Sequence, residues 1–508
     1  MFILKRNIKL FYFVFTISLV NFLLFNIPFF KFVLTTLDHS SVGSFTIVIS
    51  LAFLMLALNA FVFLIVLLIS EIIGKILLAS LFILSSIAIY FINTYGIIID
   101  ETMIGNVFNT SYEESSSLFS FGLILYLFFL GIVPSFFIFK TNLTIESFKK
   151  RVLPLPFLLV FILSLAYINS GNWLWVDNHD TKLGALVLPW SYVVNTSRYY
   201  VHKKKKDKKE ILLPDAIIKD KEKSIMVLVI GEAARRKNFS LYGYEKPTNP
   251  LLSKTQNIYH FNANSCATYT TAAVKCMLEY KNTNKLYEIL PNYLYRNDVA
   301  VIWRSTNWGE PPLHIENILT KKELKTRCEG INCDFDEILL SGLKEQVLAV
   351  SKDKILVVLH TSTSHGPAYN EKYPDRFEYF KPVCKSVELD KCTAEELINA
   401  YDNTILYTDY ILWRLIEELK QIKEYKSAML YVSDHGQSLG ENNLYLHGIP
   451  KSIAPKEQLE IPFIVWVSDS SQKLIQNDQL TQHHVFHSVL NFLALDSPIY
   501  DEKMSVFK

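Results

Sequence analysis

The sequence predicts an N-terminal membrane domain of five helices followed by a soluble α/β sandwich with a mainly parallel sheet. Long apolar runs crowd into roughly the first 170 of the 508 residues. The remainder alternates short β-rich runs with helical stretches, which is typical of α/β domains. The net charge is only +2, so the chain lacks the large excess of basic residues that is typical of nucleic-acid-binding proteins, and nucleic acid is not an expected partner.

Five apolar runs are each close to the ~20 residues that a helix needs to cross a bilayer. The first run is too long for a cleaved signal peptide, lacks a clear small-residue cleavage site and precedes four more runs. The expected spans lie near residues 9–30, 44–69, 72–93, 118–139 and 153–170.

Basic residues near the span ends predict the orientation. The segment 94–117 between the third and fourth spans has no Lys or Arg, so we expect it outside the cell membrane. Five crossings then place everything after residue 172 outside as well. The cations that mark the cytoplasmic side are Lys5, Arg6 and Lys9 at the N-terminus and Lys140, Lys149, Lys150 and Arg151 between spans four and five.

The cysteines give independent support for an exported domain. All six follow residue 265 and fall into three close pairs, which suits local disulfides in an oxidising compartment. A zinc ribbon is the alternative, but the C-x-x-C spacing that such sites prefer is absent. The expected disulfides are Cys266–Cys276, Cys328–Cys333 and Cys384–Cys392.

Residues 173–223 join the two parts and are rich in Trp and Tyr, which favours a segment at the membrane interface. Beyond it, nearly continuous apolar runs indicate strands that are buried on both faces. These strands are expected at 225–231, 299–303, 354–360, 428–434 and 462–468, with helices at 335–350 and 394–424.

Polar side chains follow three of these strands, at the sheet edge where α/β proteins place their ligands. Glu232 follows the first strand, Asp434 and His435 end another, and His365 and His447 lie nearby in sequence. Zinc takes oxygen and nitrogen ligands, so Glu232, Asp434 and His435 could supply three of four. Each residue taken singly has a plainer interpretation, such as a solvated strand-end carboxylate.

The stretch NSCATYTTAAVKCMLEY, residues 264–280, places Thr268, Thr270 and Thr271 between two cysteines. A stapled surface loop is the plainer interpretation. The chemical one is a hydroxyl nucleophile, since metal coordination lowers a hydroxyl pKa. A helix beginning near Thr270 would turn its N-terminal amides toward a phosphate. The pattern therefore indicates metal-assisted phosphoryl transfer.

Several segments resemble those of bacterial phosphoethanolamine transferases, which include lipid A transferases and mobile colistin-resistance enzymes. They are VLVIGEAARRKNFSLYGY, SCATYTTAAVKC, HGPAY, INAYDN, SDHGQSLGEN and YLHG. The soluble part of this family is of alkaline phosphatase-like (sulfatase) type. The resemblance implies a transmembrane domain at 1–172, an interfacial bridging segment and linker at 173–223, and a periplasmic catalytic domain at 224–508.

The resemblance also implies roles for matching positions. Thr270 matches the nucleophile, and it would join the zinc ligands Glu232, Asp434 and His435. His365 and His447 match histidines around the substrate phosphate, which donate a proton or hold a second zinc beside one tightly bound ion. In the outward loop, three polar residues are spaced by four and would share one stripe of a helix: Asn106, Thr110 and Glu114. The resemblance matches them to residues that hold the ethanolamine headgroup.

One departure concerns the acceptor side of the site. Asn307 matches a family asparagine, but relatives follow it with a serine and a nearby lysine. Here Trp308 takes the serine position and the lysine is absent. The departure puts the identity of the acceptor in doubt.

By resemblance, the chain is expected to transfer phosphoethanolamine from phosphatidylethanolamine, through a covalent threonine intermediate, to a phosphate or hydroxyl of lipid A. This activity would give polymyxin resistance to a bacterium that carries the protein, as a monomer, among the lipids of its inner membrane. The alternatives are a non-lipid A acceptor, such as another glycan or a protein, and a glycerol-phosphate transferase like lipoteichoic acid synthase. A transporter is disfavoured because the spans carry almost no charge.

Overall fold

The computed structural model of the protein describes residues 7–37, 42–110, 115–116, 118–144, 146–168, 173–206, 210–283, 285–328, 332–476 and 479–508. The chain forms two compact units. The first comprises Met1–Gly105 and Phe119–Val201, and the second comprises Asn106–Leu118 and His202–Lys508.

The first unit is a bundle of long apolar helices. Four helices of the described chain are long and apolar enough to cross a membrane, and a bent pair makes a fifth candidate if it counts as one span. The helices up to the bridging segment are α1 Leu10–Phe25, α2 Ile27–Thr36, α3 Val42–Ile69, α4 Glu71–Tyr95, α5 Glu101–Asn109, α6 Phe121–Lys140 and α7 Phe148–Ile168.

The first predicted span is the bent pair, because α1 and α2 meet at an angle of 62°. Asn26 lies at the bend, where its amide nitrogen donates to Leu188 O at 3.0 Å and its Oδ1 accepts from Leu188 N at 3.1 Å. Pro28 stands in the first turn of α2, where its missing N–H costs no helical hydrogen bond. A side-chain contact and a proline thus redirect an apolar run that looks continuous in the sequence.

The bridging segment folds into α8 Trp173–Asn178, α9 Asp180–Leu186 and α10 Trp190–Lys206. Two aromatic side chains at the start of α10 point into the bundle. Trp190 Nε1 donates to Asn59 Oδ1 at 2.8 Å, and the Tyr192 hydroxyl donates to Leu81 O at 3.0 Å. These polar contacts attach α10 to the membrane helices through groups that would be costly to leave unbonded in an apolar setting.

The second unit is built on an eight-stranded sheet. Along the sheet the order is β8-β2-β7-β6-β1-β5-β3-β4, and β7 runs antiparallel to both of its neighbours. The other pairings are parallel. The strands are β1 Ser224–Gly231, β2 Ile258–Asn264, β3 Ala300–Ser305, β4 Asn317–Leu319, β5 Lys354–His360, β6 Lys426–Ser433, β7 Glu460–Val467 and β8 Gln479–Thr481.

Helices cover both faces of this sheet, which explains why its central strands read as unbroken apolar runs. Every residue of β1 is buried. Its alternate side chains join two different cores: Val227 packs with the face under α15, and Leu228 packs with the face under α11, α12 and α16. The helices of this unit are α11 Thr270–Leu278, α12 Leu290–Arg296, α13 Lys321–Arg327, α14 Leu343–Leu348, α15 Ala394–Leu419 and α16 His484–Phe492.

The five predicted strands are present within two residues at each end, but the helix expected at 335–350 is not continuous. A 3-10 turn at Asp336–Leu340 precedes α14, and Gly342 between them has φ of 64°. This left-handed conformation is open to glycine at little cost and interrupts a helix. Strand β2 and the short edge strands β4 and β8 were not predicted from the sequence.

Candidate active site

Two adjacent parallel strands carry the acidic side chains to one edge of the sheet. β1 leads into Glu232 and β6 leads into Asp434 and His435, and all three are buried. After Glu232 the chain turns sharply at Ala233, which has φ of 49° and whose amide donates to Asp434 Oδ1 at 2.9 Å. This hydrogen bond from a backbone amide to a carboxylate fixes the two strand ends relative to each other.

The hydroxyl of Thr270 lies beside these groups at the first residue of α11. Its Oγ1 is 3.3 Å from Glu232 Oε2 and 3.3 Å from His435 Nε2. The first amides of a helix have no intrahelical acceptor, so they are available to a phosphate that binds in front of Thr270. The structure thus brings the four predicted zinc-site residues together, with a helix N-terminus behind the hydroxyl.

The donor atoms of this cluster fit a metal cation. His435 Nδ1 lies 2.9 Å from Gly436 O, which only accepts, so the neutral ring carries its proton on Nδ1 and leaves Nε2 with a lone pair. Asp434 Oδ2 is buried, has no hydrogen-bond partner among the described residues and faces His435 Nε2 at 3.3 Å. Lone pairs that converge without a proton between them are the arrangement that a cation requires.

Two further histidines flank the cluster. The ring centroids of His435 and His447 are 4.2 Å apart, and those of His447 and His365 are 5.6 Å apart. Ring nitrogens of His435 and His447 and a carboxylate oxygen of Glu232 all lie within 4.8 Å of one another. Desolvation, together with the neighbouring His435 and His365, lowers the pKa of His447 well below its ordinary value.

Gln437 is a functional candidate that was not predicted from the sequence. Its side chain is fully buried, and its Nε2 donates to the Tyr369 hydroxyl at 2.5 Å. The amide oxygen is therefore left to accept from His447 Nδ1 at 2.9 Å. This contact puts the proton of neutral His447 on Nδ1 and leaves its Nε2 as an acceptor. No sequence pattern signalled the role, which depends on a contact with a tyrosine 68 residues away.

Asn307 and the residues after it close another side of the cluster. Asn307 Nδ2 donates to Glu232 Oε2 at 2.7 Å and to Thr361 O at 2.9 Å. A Cβ on Gly309, whose φ is 99°, would come within 3.3 Å of Thr270 Cγ2. Glycine thus lets this loop approach the threonine closely, and half-buried Trp308 lies next to it in the same loop.

A disulfide and two buried contacts fix the threonine loop. Cys266 is bonded to Cys276, and His483 Nε2 lies 3.3 Å from Cys276 Sγ. Gln482 Oε1 accepts from Cys266 N at 2.9 Å, while Gln482 Nε2 donates to Asp434 O at 2.5 Å. Gln482, which was not predicted either, therefore links the threonine loop to Asp434 at the end of β6. The other disulfides are Cys328–Cys333 and Cys384–Cys392.

Removing the first disulfide is expected to weaken both the fold and the activity. The double variant Cys266→Ser/Cys276→Ser opens a loop with a sequence separation of 10, which should cost about 2–3 kcal/mol of unfolding free energy. Activity measured below the melting transition should fall roughly tenfold, because Thr270 loses a positional restraint. Cys328→Ser/Cys333→Ser is the matched control, and equal activity losses in both double variants would contradict this role.

Gly436 is a second position where a small change should have a large effect. A Cβ there would lie 2.0 Å from Glu457 O, so Gly436→Ala must shift the backbone next to His435. We expect a loss of about 1–3 kcal/mol in unfolding free energy and a larger relative loss of activity. Gly184→Ala is the control, since a Cβ there meets nothing within 4 Å. Unchanged melting temperature and activity in Gly436→Ala would refute the prediction.

The predicted headgroup residues lie at the end of α5. The helix ends at Asn109, and Thr110 is the residue that follows it. Both the amide and the hydroxyl of Thr110 donate to Asn106 O, at 2.8 and 2.7 Å, which keeps the two residues side by side. Glu114 lies outside the described residues.

The fold and the residues at its sheet edge define a protein of the sulfatase class, whose members have an alkaline phosphatase-like domain. The family model described as Sulfatase matches residues 224–494. A second model, described as Phosphoethanolamine transferase EptA/EptB, matches residues 54–204.

Comparisons with individual proteins narrow this class. The chain is 41% identical over 439 residues to phosphoethanolamine transferase EptA of Helicobacter pylori, covering 84% of this chain and 83% of that protein. It is 32% identical over 423 residues to phosphatidylethanolamine transferase Mcr-1 of Escherichia coli, covering 77% and 78%. The solved integral membrane protein EptA of Neisseria meningitidis superposes with a TM-score of 0.89 at 25% identity, covering 99% of each chain. The chain belongs to the phosphoethanolamine transferase family.

Proposed function

We propose that the protein transfers phosphoethanolamine from phosphatidylethanolamine to a phosphate or hydroxyl on lipid A, and so confers polymyxin resistance. The observation that carries this proposal is the position of Thr270 Oγ1, 3.3 Å from both Glu232 Oε2 and His435 Nε2. The names of relatives support the substrates: one is a phosphatidylethanolamine transferase, and another is a Kdo(2)-lipid A phosphoethanolamine 7''-transferase. An added amine lowers the negative charge of lipid A and weakens cationic peptide binding.

The metal in this proposal is zinc, held by Glu232, Thr270, Asp434 and His435. The mixed oxygen and nitrogen donors and the deprotonated His435 Nε2 support this assignment. Bound zinc would lower the pKa of the threonine hydroxyl and offset negative charge at the reacting phosphate. One zinc is tightly bound, and His365 and His447 are the candidates to hold a second.

The reaction proceeds in two half-reactions. In the first, a neutral His365 or His447 takes the proton of the Thr270 hydroxyl, Oγ attacks phosphorus, and the bond from phosphorus to the diacylglycerol oxygen breaks. The leaving oxygen takes that proton from the histidine, and diacylglycerol departs. In the second, an acceptor hydroxyl gives its proton to the same histidine and attacks the phosphorus of the phosphoethanolamine–threonine. The bond from phosphorus to Thr270 Oγ then breaks, and Oγ takes the proton back from the histidine. Gln437 Oε1 accepts a hydrogen bond from His447 Nδ1, so His447 Nε2 is the ring nitrogen that would take up and release the proton.

The ethanolamine headgroup is assigned to Asn106, Thr110 and Glu114, since polar groups with a carboxylate suit an ammonium. Asn307 is assigned to the substrate side of the cluster, where its amide already contacts Glu232.

The membrane arrangement completes the proposal. We assign one span to the bent pair and one to each of the four other long helices, which supports five spans. The proposed transmembrane domain is 1–172, the bridging segment 173–223 and the catalytic domain 224–508. Cations at the N-terminus and in the loop 140–151 favour a cytoplasmic N-terminus and a periplasmic catalytic domain in the bacterial inner membrane. The protein acts as a monomer.

A donor-release assay tests the proposal. Full-length protein in neutral detergent is incubated separately with phosphatidylethanolamine and phosphatidylglycerol of identical acyl chains, with lipid A present. We expect diacylglycerol release from phosphatidylethanolamine and a phosphoethanolamine mass increase on lipid A. Release from phosphatidylglycerol alone would replace the proposal with glycerol-phosphate transfer. Release without modified lipid A would move the acceptor to another envelope molecule.

A further inference from the structure

An apolar cleft in the first unit lies outside everything assigned above. It encloses about 510 Å³ between the start of α1 and α7. Leu153 and Phe161 mark its two ends along α7, a helical rise of about 12 Å. That length approaches the ~15 Å thickness of hydrocarbon in one leaflet. All of its lining residues are apolar: Phe11, Leu153, Pro154, Phe157, Leu158 and Phe161.

The other helices of the unit leave the residues around the cleft largely exposed. In α7, only 6% of the most apolar window is buried inside the protein, against 50% in α4. Phe157 is 69% exposed and Leu153 is 59% exposed. A wall of aromatic rings with a recess between two helices suits a single acyl chain that lies along α7.

Cations gather at the end of this cleft. Arg151 precedes Leu153 by two residues, and Lys9 precedes Phe11 by two residues. The backbone joins the two sides, since Ile8 N donates to Asn142 O at 3.0 Å and Thr144 N donates to Ile8 O at 2.9 Å. Within the described part of the chain, no carboxylate forms an ion pair with any of the five cations at this end: Lys9, Lys140, Lys149, Lys150 and Arg151.

We propose that this cleft binds one anionic glycerophospholipid, with an acyl chain against α7 and its phosphate at the cations in the first turn of α7. Charge complementarity selects this occupant: unpaired cations at the mouth favour a headgroup with net negative charge over a zwitterionic one. The lipid would be a bound partner of the membrane unit and is distinct from the zwitterionic donor of the transfer reaction.

Lipid binding to the purified full-length protein tests the site. Native mass spectrometry compares phosphatidylglycerol with phosphatidylcholine of the same acyl chains. We expect phosphatidylglycerol to bind roughly tenfold more tightly, and Lys149→Gln/Lys150→Gln/Arg151→Gln to reduce that preference to within about twofold. Lys31→Gln/Lys182→Gln/Arg198→Gln removes three cations elsewhere in the unit, two of them exposed and Lys182 half-buried, and should leave the preference intact. Leu158→Trp fills the cleft and should weaken binding of both lipids.

Two results would overturn the proposal: equal binding of both lipids to the wild type, or an undiminished preference in the first triple variant. A salt titration of the wild type covers the case in which that variant does not fold. Raising NaCl from about 50 mM to about 500 mM should shrink the preference for phosphatidylglycerol, because screening weakens exposed charge interactions. A preference that salt does not change would equally contradict the site.

Discussion

Replacing Thr270 with alanine is expected to lower phosphoethanolamine transfer by at least about a thousandfold, since the proposed covalent intermediate forms on the hydroxyl that this change removes. The fold should survive, because the hydrogen bonds of the hydroxyl to described residues are two long ones, to Glu232 and His435 at 3.3 Å each. Diacylglycerol release from phosphatidylethanolamine is the direct measurement. Growth in polymyxin of cells expressing the variant is the cellular one.

Two variants control this experiment. Thr270→Ser keeps a hydroxyl on the same carbon and should retain measurable transfer. Thr271→Ala removes the adjacent hydroxyl at the start of α11 and should transfer at a rate close to that of the wild type. Normal lipid A modification by Thr270→Ala would disprove the role of Thr270 as the nucleophile.

The change Asp434→Asn is expected to remove the metal while it preserves the shape of the site. The side-chain oxygen can still accept from Ala233 N and His435 N, the two bonds made by Asp434 Oδ1. The new amide group, however, would direct hydrogens toward His435 Nε2, where Asp434 Oδ2 now lies at 3.3 Å. We expect metal content below about a tenth of the wild-type level and transfer reduced at least about a hundredfold.

Elemental analysis of the purified variant, paired with its melting temperature, separates metal loss from unfolding. The exposed Asp496→Asn serves as the control and should keep both metal and activity. Chelation of the wild type should abolish transfer, and added zinc should restore it. Full activity of metal-free protein would rule out the zinc assignment.

Sequence patterns located the core of the site because short-range rules apply there. Unbroken apolar runs identify strands buried on both faces, and parallel strands end at a common edge. Glu232, Asp434 and His435 could therefore be grouped from the order of residues along the chain, and in the folded protein they lie together. The threonine loop, residues 264–280, was selected as the proposed nucleophile loop from its paired cysteines and from the family resemblance.

The parts that could not be predicted depend on contacts between distant residues. Gln437 orients His447 only because Tyr369 occupies its amide nitrogen, and Gln482 links Cys266 to Asp434 across 216 and 48 residues. The bend at Asn26 depends on Leu188, 162 residues away. Local periodicity carries no information about such pairs.

The central claim is that Thr270 carries phosphoethanolamine during the reaction. Peptide mass spectrometry of the full-length protein, incubated with phosphatidylethanolamine but no acceptor, tests this most directly. The account predicts an added mass of one phosphoethanolamine on Thr270 itself, absent after zinc chelation and absent in Thr270→Ala. Diacylglycerol release with the adduct on another residue, or an adduct that persists in Thr270→Ala, would contradict it.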